Sequence, residues 1–495
     1  MSRARFLTPD QLGPHFDDGG PLVFVDNRGP LMRRPFHRQK AHLILSALYH
    51  RVREAGDRAT LLQGDSYREA LRGRDLQVID LPSWGLRRMV RDLARDASVE
   101  VLPARGFLTT AEEFRRFAEG RKPTQMVMDQ FYREVRRSHG ILVTPSPSGP
   151  EPVGGQWNYD RDNRQPPPKG QSRLGVAEPH WPVEDDIDRF VRDELDEMER
   201  SGRARFIGAD GPRLFAVTRS EALTALHDFL DHRLDAFGPY EDAAMTEDWA
   251  MAHSLLSVPL NLGLLDPREV VDAAFERYAA GRAPLNSVEG FVRQIVGWRE
   301  WVWHLYWWLG EDYVERSNHL GHTAPLPSWW QALDSGAVSS ACLRQVLSEV
   351  HSRGWTHHIN RLMVLGNFAL QRGFTPAALN RWFVDAFVDG TPWVMPANVV
   401  GMSQYADGGI VATKPYVSGG SYLKTMTNYC QGCPFSPTVR LGEKACPFTA
   451  GYWAFLDRHA EVLRGNHRMA KPLAGRHRLA DLPEVVTQEA TRTRF

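Results

Sequence analysis

The chain has four cysteines, and their placement constrains the fold more than any other feature: Cys430 and Cys433 form a C-x-x-C, Cys446 follows after twelve residues, and Cys342 lies far upstream. Any joint role for the four requires a tertiary structure that returns the segment around Cys342 to the 430–446 loop. Two thiolates spaced as C-x-x-C on a turn grip one metal or one edge of a cluster. Four thiolates suit a 4Fe–4S cubane, one per iron, and they also suit a tetrahedral zinc. Pro434 and Pro447 each follow a cysteine directly, the Cys-Pro punctuation seen around iron–sulfur ligands. A redox C-x-x-C or unrelated buried thiols are the other readings that spacing leaves open.

Four cysteines in 495 residues do not make a secreted disulfide scaffold. Met1–Leu12 lacks the apolar core of a signal peptide, so a cytoplasmic protein is expected. The most aromatic stretch, Phe291–Leu309, carries Arg293, Arg299, Glu300 and His304. It reads as a buried helix rather than a membrane span. The formal net charge is zero, which removes a global basic signal for nucleic acid, but seven of the 60 basic residues are Lys and 53 are Arg. Arg binds phosphate in bidentate fashion and stacks on bases; an Arg-biased genome gives the same count. Fifteen Trp and 23 Phe suit a large core, a flat cofactor or electron transfer.

Leu22–Val25, Gln77–Leu81 and Val99–Leu102 read as strands, and Lys40–Glu54, Trp84–Arg95 and Thr110–Glu119 show helical periodicity. Alternation of this kind predicts an α/β domain with a parallel, Rossmann-like sheet over residues 1–140. Pro145–Ser172 is rich in Pro, Gly, Asn and Asp, and residues 141–185 are expected to form an interdomain loop. Helical periodicity dominates residues 186–495, as at Ile187–Ser201, Pro267–Ala279, Val288–Gly310 and Cys342–Arg353. The expected architecture is an α/β domain followed by a large all-α domain.

Candidate chemistry lies in that second part. His253-Ser-Leu-Leu-Ser257 precedes an apolar run, where hydroxyls at a helix start can bind phosphate or merely cap. Gln294-Ile-Val-Gly-Trp-Arg-Glu300 places an amide, an aromatic, a cation and an anion on one helix. Trp355-Thr-His-His358-Ile-Asn-Arg361 holds adjacent histidines, a pairing able to supply general acid and base near neutral pH. Trp393–Ser403 reads as a loop entering a helix, where Asn398, together with Asp389, could hydrogen-bond a heterocycle or simply make turns.

Taken in order, these segments resemble the iron–sulfur bacterial cryptochromes and photolyases, the prokaryotic (6-4) photolyase family. The resemblance runs nearly end to end. It includes His37-Arg-Gln-Lys40, Phe131-Tyr-Arg-Glu134, Gly154–Asp160, Phe237–Asp242, His253–Ser257, Phe291–Glu300, His357–Asn367, Trp393–Asp407, Thr413-Lys-Pro-Tyr416, Tyr429–Gly442 and Ala445–Phe448. It implies an N-terminal antenna domain, a helical domain holding FAD, and a 4Fe–4S cluster on Cys342, Cys430, Cys433 and Cys446. By the same likeness, Ser254, Leu256 and Ser257 would cradle the FAD pyrophosphate. Gln294, Arg299, Arg361, Asp389 and Asn398 would line the flavin pocket. His357, His358, Tyr416 and Asp242 would face a flipped-out lesion in UV-damaged DNA.

The implied activity is blue-light-driven reversal of (6-4) photoproducts by an electron from reduced FAD, with His357 or His358 giving a proton. Gln294 stands where enzymes acting on cyclobutane dimers carry Glu, which favours the (6-4) lesion. Trp382 and Trp330, or its neighbour Trp329, would feed electrons to FAD, although Phe383 stands where relatives often have Tyr. The implied antenna is 6,7-dimethyl-8-ribityllumazine, and the implied state a monomer. The chain departs from its relatives at Pro9-Asp-Gln-Leu12, at Phe24-Val-Asp-Asn27, at Gln125-Met-Val127 and at Met395 near the flavin. Two other functions fit parts of the pattern: a signalling cryptochrome on the same scaffold, and a light-independent nucleic-acid-binding protein with a structural cluster, like the helical iron–sulfur domain of large primase subunits.

Overall fold

The computed structural model describes residues 3–495. Its first layer is a parallel sheet of β1 (Ala4–Phe6), β2 (Leu22–Asn27), β3 (Ala59–Gly64), β4 (Leu76–Ile79) and β5 (Val99–Leu102), in the order β3-β2-β1-β4-β5. The strands expected near 22, 77 and 99 are present. Two more escape periodicity: β1 is three residues long, and β3 is a half-buried edge strand whose apolar positions do not alternate cleanly.

Side chains alternate across the sheet as the pleat requires. Val23 and Val25 face a core with Phe6, Leu76, Val78, Val90 and Leu93, while Leu22 and Phe24 join a second core. That second core continues without a break through Phe131 and Tyr132 to Val288, Phe291 and Trp301. The sheet and the helices therefore share apolar packing, and the sheet is a wall of the helical part.

Residues 141–185 carry a two-stranded hairpin, Val143–Thr144 with Glu151–Pro152, and one short 3-10 turn, Val153–Gly155, before the helix Asp186–Arg200. The segment is anchored by polar groups: Arg136 donates to the Ile141, Leu142 and Trp157 carbonyls, and buried Asn163 exchanges hydrogen bonds with Asn286. Helix Asp186–Arg200 then packs Val191, Leu195 and Met198 against Ala41 and Leu45 of helix Arg38–Ala55. The end of the loop is thus tied back to the first layer.

The His37-Arg-Gln-Lys40 segment welds the two parts together. Lys40, buried, donates from Nζ to the Val384 and Gly390 carbonyls, which fixes the turn that presents Asp389. His37 caps its helix: Nδ1 accepts from the Gln39 N–H at 3.2 Å, so Nε2 carries the proton and donates to the His351 carbonyl at 3.1 Å. Burial lowers this imidazole to about 4. Its contribution to stability is complete above about pH 6.5, where the unfolded chain is also neutral. It is lost as pH falls toward 4, because unfolding then takes up a proton. Denaturation of the wild type and His37→Asn from pH 7.5 to 4.5 should show their stability gap narrowing by up to about 1.4 kcal/mol per pH unit below 6.5; a constant gap contradicts this.

Three helical segments are wound as π-helix: Arg293–Arg299, Asn360–Gly366 and Pro396–Ser403. The wider turn is uncommon and concentrates at functional sites. The second and third cross closely: a Cβ on Gly366 would lie 2.2 Å from Ser403 Oγ, so only glycine fits there. Among the described residues no helix is long and apolar enough to cross a membrane.

Candidate active site

The π-helical segments carry most of the residues expected around a flavin: Gln294 and Arg299 on the first, Arg361 on the second, Asn398 on the third. Gln294 donates from Nε2 to the Gly290 carbonyl at 3.0 Å, and Asn398 from Nδ2 to the Val394 carbonyl at 2.8 Å. Each amide thus occupies the acceptor four residues back that an α-helical N–H would use. One end of each side chain is anchored and the other is free for a ligand.

Arg361 and Asp389 form a bidentate pair at 2.8 and 3.0 Å. Ser257 Oγ donates to the same carboxylate at 2.8 Å, Asn261 donates to the Asp389 carbonyl, and Arg361 Nε donates to the Thr356 carbonyl at 2.6 Å. The serine segment, the histidine turn and the 384–390 turn therefore meet at one charge pair. Just before Ser257 the backbone is strained, with positive φ at Met251 (47°) and Leu255 (59°). Such strain persists only where surrounding structure enforces it. Ser254 Oγ accepts from the Leu256 N–H at 3.3 Å, and Leu256 itself is buried in the core. Only the main chain of Leu256 is left to meet a phosphate.

Arg299 lies over the rings of Phe107 and Trp393, at 4.4 and 5.4 Å, beside buried Glu300. Glu300 in turn accepts from Leu108 N, Thr109 N and Thr109 Oγ1, which brings the first layer to the pocket wall. Met395, the departure noted near the flavin, is buried in the core that also holds Val399, Trp382 and Phe383.

The two adjacent histidines have different surroundings. His357 is 2% exposed, both its ring nitrogens lack partners, and burial keeps it far below the ordinary imidazole range. His358 is exposed to solvent, while crowding by the surrounding protein, then Arg361, lowers it to about 4. Tyr416 packs near Ile359, Met363 and Met402. Asp242 and Tyr416 are neighbours within a charged group that includes Asp160 and Arg164. Burial raises Asp242, and it pushes Glu241 up to about 8. Asp242 approaches Arg164 at 4.0 Å, while Arg293 pairs with Asp160 and lies 3.7 Å from Glu241.

Sequence reading assigned no role to Glu241 or Arg293, although both lie in segments that resemble the family, because nothing local shows that the fold brings them together. It also overlooked a role for His253, whose ring stacks on His357 with centroids 4.5 Å apart and planes at 18°. No spacing signal links two residues so distant in the chain.

Trp382 and Trp330 are in contact, centroids 5.2 Å apart, and both are buried. Phe387 touches Trp382 at 5.9 Å and lies under the Arg361 guanidinium at 4.4 Å. Half-buried Trp329 adjoins Trp330 at 5.8 Å. Phe387, Trp382, Trp330 and Trp329 thus form a row of neighbouring rings that begins under Arg361.

All four cysteines are free thiols and they converge. Cys342 is the second residue of helix Ala341–Arg353, Cys446 is the N-cap of helix Pro447–Arg458, and Cys433 Sγ accepts from the Ala341 N–H at 3.5 Å. Burial, then the neighbouring cysteines, push Cys342 far up and Cys430 up to about 11. As thiolates these groups need a cationic centre among them. Among the described residues, the three His, Cys, Asp or Glu groups whose ligand atoms all lie within 4.8 Å of one another are His50, Asp185 and Asp188. No three of the sulfurs are that close. Zinc would hold its sulfurs about 3.8 Å apart, given Zn–S bonds of about 2.3 Å, whereas a cubane interposes its own irons and sulfides. The spread and the donor set fit the cluster better than zinc.

Near the carboxyl ends of β1 and β2, Asp26 accepts from Arg28 at 2.9 Å and from Tyr49 at 2.8 Å. Tyr67 lies beside Asn27 and Asp10, and burial raises Asp10 to about 6.

A family model described as deoxyribodipyrimidine photo-lyase-related protein matches residues 9–204. The chain is 39% identical to a protein of Agrobacterium fabrum named (6-4) photolyase, over 97% of this chain and 96% of that one. Among solved structures it resembles a class III photolyase from Agrobacterium tumefaciens, with TM-score 0.57 and 16% identity, covering 94% of this chain and 98% of that one. An archaeal photolyase from Sulfolobus tokodaii, solved with two FAD molecules, gives TM-score 0.54 at 16% identity, covering 94% and 99%.

Proposed function

We propose, for a chain that belongs to the prokaryotic (6-4) photolyase family, that it is a blue-light-driven DNA-repair enzyme reversing (6-4) pyrimidine–pyrimidone photoproducts. The observation that carries this reading is the Arg361–Asp389–Ser257 cluster, which ties together the serine segment, the histidine turn and the 384–390 turn, in a chain aligned almost end to end with that relative.

The residues present fit FAD. Ser254, the Leu256 main chain and Ser257 would hold its pyrophosphate; Gln294, Arg299, Arg361, Asp389 and Asn398 would hold the remainder. Bound and reduced, it supplies on absorbing blue light the electron that opens the lesion. The chain's own residues do the rest. A damaged dinucleotide flips out of the duplex at low cost because its pairing is already lost. Tyr416 and Asp242 line its pocket, and burial raises Asp242 above the ordinary carboxylate range. His358, the exposed member of the pair, gives the proton that the transferring oxygen needs. DNA phosphates supply the negative potential that lifts its basicity on binding.

The four cysteines would hold a 4Fe–4S cluster. The fit is poorer for a 6,7-dimethyl-8-ribityllumazine antenna: Asp26 is engaged by Arg28 and Tyr49, and Tyr67 lies against Asn27 and Asp10. No step is assigned to it.

An absorption spectrum of the purified protein combined with repair of a (6-4)-bearing oligonucleotide under blue light tests the whole reading. Flavin bands with light-dependent repair support it. A flavin-loaded protein without repair is a signalling photoreceptor, and a brown, flavin-free one is the cluster-bearing nucleic-acid-binding protein. In the same preparation, Trp382→Phe should slow photoreduction at least about tenfold, since it removes the middle of the aromatic route. An unchanged rate would return Trp382 to a packing role.

A further inference from the structure

We propose that His253 is a positioning residue for the histidine pair: stacked on His357, it keeps that ring a neutral, fixed imidazole, so the transferable proton resides on His358. The proposal rests on the repair reading above and sharpens it by assigning the proton to one of the two adjacent histidines.

The geometry is a layered one. The His253 ring stands edge-on to Phe237, with centroids 6.1 Å apart and planes at 85°, and face-to-face with His357 at 4.5 Å. His253 therefore touches two rings, one edge-on and one face-to-face. His253 Nε2 and both nitrogens of His357 are enclosed without hydrogen-bond partners. An imidazolium at His357 would bury a charge with both N–H groups unpaired, which is among the costliest arrangements in a protein. His358 differs in the one respect that matters, because it is exposed, so that water can solvate the charge.

The charged groups facing the stack reinforce this. Arg361 and His358 both oppose a proton on His357 and on His253, and burial lowers His253 to about 3. The nearby carboxylates are engaged elsewhere: Asp389 with Arg361 and Ser257, Glu349 with Thr356, Asn360 and Gln345, and Asp248 with the Met251 and Leu174 N–H groups. None is free to stabilise a second cation. With one proton for three rings, the stack selects which ring holds it, and its flat face holds His357 in plane.

Two substitutions separate the ring's stacking from its polar character. His253→Phe keeps a flat face and removes the nitrogens; His253→Ala removes the face and opens a space beside His357. The readouts are repair turnover, affinity for damaged DNA, and the ¹⁵N resonances of selectively labelled histidine titrated from pH 5 to 8. We expect His253→Phe to keep turnover within about threefold and His357 neutral throughout. His253→Ala should lose at least about tenfold in turnover, the scale of a displaced catalytic group, with DNA affinity unchanged and His357 now titrating within that range. If His253→Ala does not fold, His253→Asn serves as the ringless variant. The proposal is overturned if His253→Phe falls as far as the ringless variant, or if His357 stays neutral and turnover holds in the ringless variant. Absence of repair in the wild type would defeat the (6-4) reading instead, while the titration still decides the stack.

Discussion

His358→Ala abolishes repair of a (6-4) lesion, by at least about a hundredfold, the scale of a lost general acid, while the protein keeps its flavin and its photoreduction. The reason is positional. His358 is the exposed member of the pair, whereas His357 is buried with both nitrogens enclosed. The pocket groups Arg361, Asp389 and Ser257 bond to one another and not to His358, so flavin retention should not depend on it. Turnover and photoreduction measured on the same sample separate the two functions. Undiminished repair would remove His358 from the chemistry. A loss of flavin together with repair would mean that the residue holds the pocket.

Cys433→Ala costs the protein its fold, seen as insoluble or cluster-free material with little bound flavin. With the proposed cluster on the four thiols, losing one ligand removes folding energy directly, because binding and folding are coupled. The architecture shows how the damage spreads. Tyr429, adjacent to Cys430, is buried and bonds through its hydroxyl to Asn360 at 3.0 Å. Asn360 also donates to Glu349 and Thr356, and Glu349 accepts from Thr356 at 2.6 Å. Burial raises Glu349 to about 6. One polar network therefore joins the cysteine loop, the helix Ala341–Arg353 that carries Cys342, and the π-helical segment carrying Arg361. Releasing the loop leaves those buried groups unpaired, at about 1–3 kcal/mol each. A soluble, flavin-loaded Cys433→Ala protein with unchanged thermal stability would show that the thiols do not staple the domain.

Much of the architecture was legible along the chain. Helix Pro267–Ala279 coincides with its apolar periodicity, and Val99–Leu102 is the strand it reads as. Strand β3 was illegible because an edge strand need not alternate, and the three π-helical turns were illegible because their residues carry ordinary helical periodicity. Gly366 marks one of them, yet a lone glycine in a helix has many explanations; only the crossing with Ser403 supplies the reason.

By itself the sequence determined the order of elements, the identity of the reactive side chains and, through motifs spread over nearly its whole length, the family. Local pattern carries that much because periodicity, turn residues and ligand types are properties of neighbours in the chain. Tertiary structure alone decided which groups share an environment. It brought the four cysteines together, set Trp329 beside Trp330, and gave His357 and His358 opposite exposures although they are adjacent. It also laid His253 against His357. Desolvation and hydrogen-bond partnership depend on what the fold packs around a ring, and those neighbours come from segments far away in the chain.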